Sequence, residues 1–456
     1  MAETLVSPGV LARENDQSQI TAQPIQAGAA IVGPAVKGRQ NIPTLVTSYS
    51  EYQAKFGTTF ESGSNEYTYF TSIAAYNYFQ QGGTSLLVTR VASGSMTPAT
   101  GSAVSTVSSA SFTLETLAQG AAQDSDGGEG TNNTLTNGTE DNLRWEVVAP
   151  NTASGTFSLL IRRGDDNINQ KVVLESFNDL SLDPKQDNYI SKVIGDMTDT
   201  IVTDGDGTTY IQPSGSYENG SVYVRVKSVN NTVNYFDNNG DAKDAFKGLI
   251  PAASSGSFGG AAGDLVPSGR AANYYETIGD GGDNDTQGLV ADDYTTALAL
   301  LNNKDEFNYN VLVAPGITKQ SQATPVSTML SQAQGRGDYL AVVDLRDYGS
   351  TVNNAITAAS SYDNSYAATY WPWVQTSDPD TGDLVWVPAS TMMLGVMAYN
   401  DRVAASWFAP AGINRGGMGT VARAERKLTQ GNRDDLYAAN VNPIGTFPNS
   451  GVVVFG

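Results

Sequence analysis

The sequence predicts a multidomain α+β chain: a split α/β core domain with one or two β-rich domains inserted into it. Three observations point there. Apolar strand-like runs alternate with helix-spaced segments at both ends of the chain, over 23–92 and 293–456. Between them, 93–292 turns to Gly, Ser, Thr, Asn and Asp broken by short β signals. The charge divides along the same lines. Residues 94–293 carry 28 acidic and 11 basic side chains, a net of −17, within a chain whose total is −21. An acidic, solvated body set into a nearly neutral core suits a molecule whose core packs against other subunits.

The elements follow in order. Residues 1–22 read as an extended arm: Ser7-Pro8-Gly9-Val10 is a turn signal, and Arg13 to Gln23 is polar without helical period. The arm is either a frayed terminus or a strand donated to a neighbour. Gly28 to Gly33 is a short buried strand stopped by Pro34. Ser48-Tyr49-Ser50-Glu51 fits a capping box, with Phe56-Gly57 closing a short helix. Tyr67, Phe70, Ala74 and Tyr78 recur at helical spacing, and Gly82-Gly83 ends that helix. Leu86 to Val91 is a buried strand.

In the acidic body, Trp145 to Val148 is a strand, and Phe157 to Ile161 with Lys171 to Phe177 forms a hairpin around Gly164 to Asn167. A helix is expected from Pro184 to Ile194 behind an Asp183 cap. Val222, Val224 and Val226 should face a core. Two subdomains, about 93–196 and 197–292, are one possible division. The α/β texture then returns with helices at 293–301, 324–334, 351–360 and 388–404, and strands at 309–313, 339–345 and 366–373.

The chain has no cysteine and no histidine. This removes disulfides, thiolate chemistry, His-based zinc sites and the usual base of serine and cysteine hydrolases. A strongly acidic balance argues against a nucleic-acid partner. No apolar run approaches the roughly 18 residues of a spanning helix, and no cationic, apolar leader opens the sequence. Asp283-Asn284-Asp285 begins like a calcium loop, but Tyr294 stands where the closing bidentate Glu belongs. Asp124 to Gly127, Asp204 to Gly207 and Asp237 to Asp241 read as exposed turns. Gly33 to Gly38 lacks the Gly-Lys-Ser/Thr step of a phosphate loop. The expectation is therefore no catalysis, no cofactor and no metal. The aromatic cluster Tyr370-Trp371-Pro372-Trp373, with Trp386, Trp407 and Phe408, reads as packing or an interface anchor. One local feature runs against the acidic total: Arg415, Arg423, Arg426, Lys427 and Arg433 face only Glu425 between 411 and 433. This basic stretch is either a solvated face or a docking stripe for an acidic partner.

Several segments together resemble one family. Ser7 to Val10, Gly28 to Gly38, Phe79 to Val91 (FQQGGTSLLVTRV), Val313 to Gly316, Tyr366 to Trp373 (YAATYWPW), Val387 to Ser390, Trp407 to Gly412, and Leu436-Tyr437 with Asn442 to Ile444 are similar, in this order, to tail sheath proteins of contractile bacteriophages. The resemblance implies a virion structural subunit, assembled in the host cytoplasm. Its partners would be itself, in stacked hexameric rings, the inner tail tube protein, and the baseplate and tail terminator proteins, with no nucleic acid and no membrane insertion. Contraction on baseplate triggering would drive the tube through the host envelope. The stripe from Arg415 to Arg433 becomes a tube-contact candidate, and Leu5, Val6, Pro8 and Val10 become inter-subunit arm candidates. In the family the strand at Gly451 to Gly456 is followed by further core sequence and a C-terminal arm, so a core lacking that end is expected. The alternatives are the sheath of a phage-derived injection machine, or a virion surface or receptor-binding protein.

Overall fold

The computed structural model describes residues 25–62, 65–107, 109–230, 234–266, 287–405 and 407–456. Its core is one eight-stranded sheet. In chain order its strands are β1 (Ala29–Gly33), β2 (Thr44–Val46), β3 (Leu86–Arg90), β4 (Val311–Thr318), β5 (Leu340–Asp344), β6 (Ala367–Trp371), β7 (Asn442–Phe447) and β8 (Gly451–Val454). Across the sheet they run β8-β7-β6-β5-β4-β1-β3-β2. The six inner strands are parallel, and an antiparallel strand closes each edge. Strands from 29–90 thus lie beside strands from 311–454, with Leu312 opposite Ala30.

Strands buried on both faces need continuous apolar sequence, and AAIVG and LLVTR are fully buried. Successive side chains serve opposite cores. Ala29, Ile31, Leu86 and Val88 join helices Tyr49–Phe56, Phe70–Gln80 and Ala389–Val403. Ala30, Val32, Leu87 and Leu312 join helices Thr295–Leu301, Ala323–Arg336, Val352–Ala359 and Gln430–Ala438.

Local chemistry sets the helix ends. Ser48 Oγ accepts from Glu51 N (3.1 Å), while the Glu51 carboxylate reaches back to Thr47 N (2.8 Å), one residue beyond the reciprocal half of a standard box. Gly57 (φ 78°) and Gly337 (φ 71°) take the stop positions. Tyr67, assigned to a helix by spacing, sits instead in the strand Asn65–Thr68, and the helix starts at Phe70.

The acidic insertion folds as a two-sheet sandwich. One sheet holds Val224–Val229, Ala110–Gln119 and Pro98–Val104; the other holds Val173–Ser181, Thr156–Arg163, Leu143–Asn151 and Ser254–Ser257. Phe112, Leu114, Val224 and Val226 meet Trp145, Val147, Phe157, Leu159 and Ile161 between them. Strand Val224–Val229 pairs with Ala110–Gln119, and Ser254–Ser257 with Leu143–Asn151. The ladders therefore cross the 196/197 position that the sequence offered as a subdomain division. Two local expectations are corrected. Only Ile190–Ile194 is helical in 184–194, because Asp183 closes a turn, accepting from Lys185 N (3.0 Å) and Tyr235 N (3.1 Å). Val222 is exposed, because the Ser221 hydroxyl accepts from Tyr223 N and Val224 N and bends the chain before the strand begins. The hairpin Thr198–Thr203 with Thr209–Ser214 leaves the sandwich and lays Ile201 and Ile211 against the core.

Candidate interaction surfaces

Open parallel sheets bind ligands where strand order reverses, outside the carboxyl ends of the strands. Here that point lies between β1 and β4, and the chain itself fills it. Gln287, buried at φ 52°, accepts from Phe70 N (2.8 Å) at the start of helix Phe70–Gln80 and donates to the carbonyl of Pro315 (3.3 Å). Gly316 has φ 96°, and a Cβ there would stand 2.3 Å from the Gln287 amide nitrogen. The crevice that would hold a phosphate in a nucleotide-binding relative of this architecture is occupied by a glutamine.

Two strands along, Asp344 ends β5 and accepts from the backbone and hydroxyl of Ser390, in the first turn of helix Ala389–Val403. Burial pushes its carboxyl up to about 7, against the lowering effect of those two hydrogen bonds. It clasps a strand to a helix.

Among the described residues, no group of three or more His, Cys, Asp or Glu could hold a metal ion. Asp204 Oδ1 accepts from Asp206 N and Thr208 N, and Asp237 Oδ1 from Asn239 N and Asp241 N, which are turn-closing bonds. Asp283 and Asp285 lie outside the described residues, as do the arm candidates Leu5, Val6, Pro8 and Val10.

The basic candidates lie on several elements. Arg423 is on strand Val421–Ala424, bonds Gln375 Oε1 (2.7 Å) and lies over the Trp386 ring at 5.0 Å. Arg415 covers Phe408 at 4.6 Å. Arg433, in helix Gln430–Ala438, donates to Leu428 O and lies over Phe447 and Phe455. Arg426 donates to Gly349 O (3.0 Å) and stands 3.7 Å from Glu425, and Lys427 is exposed. Three of the five cations thus cover aromatic rings and Arg426 stands beside Glu425, leaving Lys427 with the freest charge of the five.

Near them lies an apolar surface. Trp407 is 82% exposed, and Val403, Phe408 and Ile413 are about half exposed. The other aromatics of the sequence cluster are interior: Tyr370, Trp371, Trp373 and Trp386 are buried, and Trp373 Nε1 donates to Arg346 O. The outer edge of β8 is already paired. Met418 N donates to Val452 O, and Val454 N to Gly416 O, so segment 416–418 covers it.

Sequence reasoning passed over Gln287 and Arg90. A fully buried Arg90 ends β3 and donates to the carbonyls of Ala35 (2.9 Å), Gly38 (2.7 Å), Val36 (3.3 Å) and Gln119 (2.7 Å). The only signal was a cation closing the apolar run LLVT.

With this geometry described, comparison with known proteins places the second part of the chain. It matches the family model described as the phage tail sheath protein central domain over residues 287–456. This part of the chain is thus similar to a phage tail sheath central domain. Tail sheath proteins of Vibrio phage KVP40 and Enterobacteria phage T4 are 39% and 35% identical over 71 residues, 16% of this chain and 11% of each relative. The tail sheath protein of Salmonella phage ViI is 25% identical over 199 residues, 38% of this chain and 31% of that protein. The matched stretches therefore span about a tenth to a third of these relatives. Among solved structures, a sheath tail protein of Listeria innocua aligns over 95% of this chain and 69% of its own, at 10% identity and TM-score 0.49. The contracted helical sheath of the anti-feeding prophage aligns over 98% and 67%, at 12% identity and TM-score 0.41.

Proposed function

We propose that this chain is a structural subunit of a contractile phage tail sheath. In this reading it polymerises as stacked hexameric rings around an inner tail tube and contracts on baseplate triggering, driving the tube through the host envelope. One observation carries it: residues 287–456 match the sheath central domain, and the same residues share one sheet with 29–90. The matched segment is thus part of a core that folds from both ends of the chain. The division into an arm at 1–22, a core of 23–92 plus 293–456 and an acidic outer body at 93–292 belongs to this proposal. So does a purely structural role, supported by the filled crevice at Gln287.

Tube protein is the partner assigned to the basic segment, with the exposed Lys427 as its most available charge and Arg426 beside it. Arg415, Arg423 and Arg433 would act there through the aromatic rings they cover. The experiment is negative-stain microscopy of the protein mixed with tube protein. Ordered sheath on tubes is the expected result; monodisperse particles that leave tubes bare would refute the reading. Arg426→Glu with Lys427→Glu should reduce coverage of tubes at low salt, and unchanged coverage would remove the tube assignment from this segment. The sheath of a phage-derived injection machine is the second reading. Sheath formation on an injection-machine tube and not on a phage tail tube would favour it.

A further inference from the structure

We infer that the inserted body is locked to the core by a buried polar clamp around Arg90, where the chain leaves the core, so that the two bodies keep one fixed relative orientation. This stands independently of the sheath reading. An insertion reached through two crossing segments swings freely unless contacts between the bodies hold it. Here the first crossing is held by hydrogen bonds in the interior, where breaking one leaves polar groups unsatisfied.

At the first crossing, Arg90 donates from Nε to Ala35 O and from Nη2 to Val36 O of the core, and its Nη1 donates both to Gly38 O of the core and to Gln119 O of the insertion. Its acceptors are all carbonyl oxygens. Burial lowers its pKa only to about 10, so it is charged at neutral pH and needs every one of these acceptors. Gly120 takes φ 104°, a backbone conformation that favours glycine, at the turn beside Arg90. Around the guanidinium, Gln119 N donates to Gly38 O (3.1 Å) and Gln40 N to Gln119 Oε1 (2.8 Å). The Gln40 amide spans the linker, donating to Ala92 O (3.0 Å) and Gly94 O (2.6 Å) and accepting from Met96 N (3.0 Å). Near the end of the insertion, Tyr69 Oη of the core donates to Leu265 O (3.4 Å).

The bodies also meet away from the crossings. Lys37 pairs with Asp141 at 3.2 Å and Arg39 with Asp199, while Ile211 N approaches the Glu306 carboxylate at 3.4 Å. The attachment points are thus well separated in sequence, which resists bending in more than one direction.

The absence of cysteine permits the test in the full chain. Spin labels at Ala153→Cys in the sandwich and Thr324→Cys in the core, both exposed positions, report the distance between the bodies by pulsed electron resonance. The unmodified clamp should give one narrow distance distribution. Arg90→Met and Gln40→Ala should each broaden it, roughly doubling its width as local opening becomes accessible. A broad distribution with the clamp intact overturns the inference, and so does an unchanged width in the folded variants. Should Arg90→Met fail to fold, Gln40→Ala decides the question by the same measurement.

Discussion

Asp344→Asn should change how stability depends on pH. Asp344 is fully buried, and its carboxyl titrates near 7 in the folded protein against an ordinary value of 3.8. A carboxyl raised in this way favours folding while it is protonated. Its contribution is fully present below the unfolded value and is lost as pH rises toward 7, where the folded state must ionise a buried group. Each unit within that window changes stability by about 1.4 kcal/mol. Between pH 5.5 and 8.5 the aspartate protein should therefore lose about 2 kcal/mol relative to the asparagine variant. Asparagine still offers Ser390 one acceptor oxygen, so the clasp between β5 and helix Ala389–Val403 persists in part. Urea unfolding of both proteins at half-unit pH steps gives the difference directly, since the other carboxylates are common to both. Two curves that stay parallel across the window would refute the reasoning.

Other perturbations test other parts of the fold. Asp166→Ala removes the carboxylate that joins buried Arg162 (2.7 Å and 2.8 Å) and Arg144 (3.3 Å); they keep Glu146 and Glu129 as partners, and the donors left unsatisfied should cost about 1–3 kcal/mol in urea unfolding. Gly395→Ala would normally strengthen a helix, but here its Cβ would lie 2.3 Å from the Asn77 amide, so thermal unfolding should show a loss. Thr429→Ala removes the capping box of helix Gln430–Ala438 and should cost about 1 kcal/mol in the same assay. Trp407→Ser, at a largely exposed side chain, should leave the melting temperature within the scatter of surface variants while lowering any tendency to associate seen by sedimentation.

Much of the core was readable because its causes are local. AAIVG and LLVTR can only be strands buried on both faces, and Ser48 and Thr351 mark helix starts through bonds to nearby backbone, whereas the helix behind the Thr429 cap was missed. The errors have both distant and local causes. Asp183 has the composition of a helix cap but closes a turn, because Tyr235, 52 residues further on, takes its second oxygen. Val222 follows the alternation of its neighbours, yet Ser221 bends the chain first. The basic segment was visible as a count of charges, but the rings that Arg415, Arg423 and Arg433 cover depend on strand pairing and helix packing.

By itself, then, the sequence determined where strands and helices fall, that a turn-rich acidic region interrupts an α/β pattern, and which chemistry a chain without histidine or cysteine lacks. Tertiary structure alone decided that β1 lies beside β4, that one glutamine fills the crevice between them, and that a single arginine ties two bodies together. The physical reason is range. Periodicity and capping act over a few residues, whereas the acceptors of Arg90 and the partners of Gln287 come together only after the sheet has brought distant segments into register.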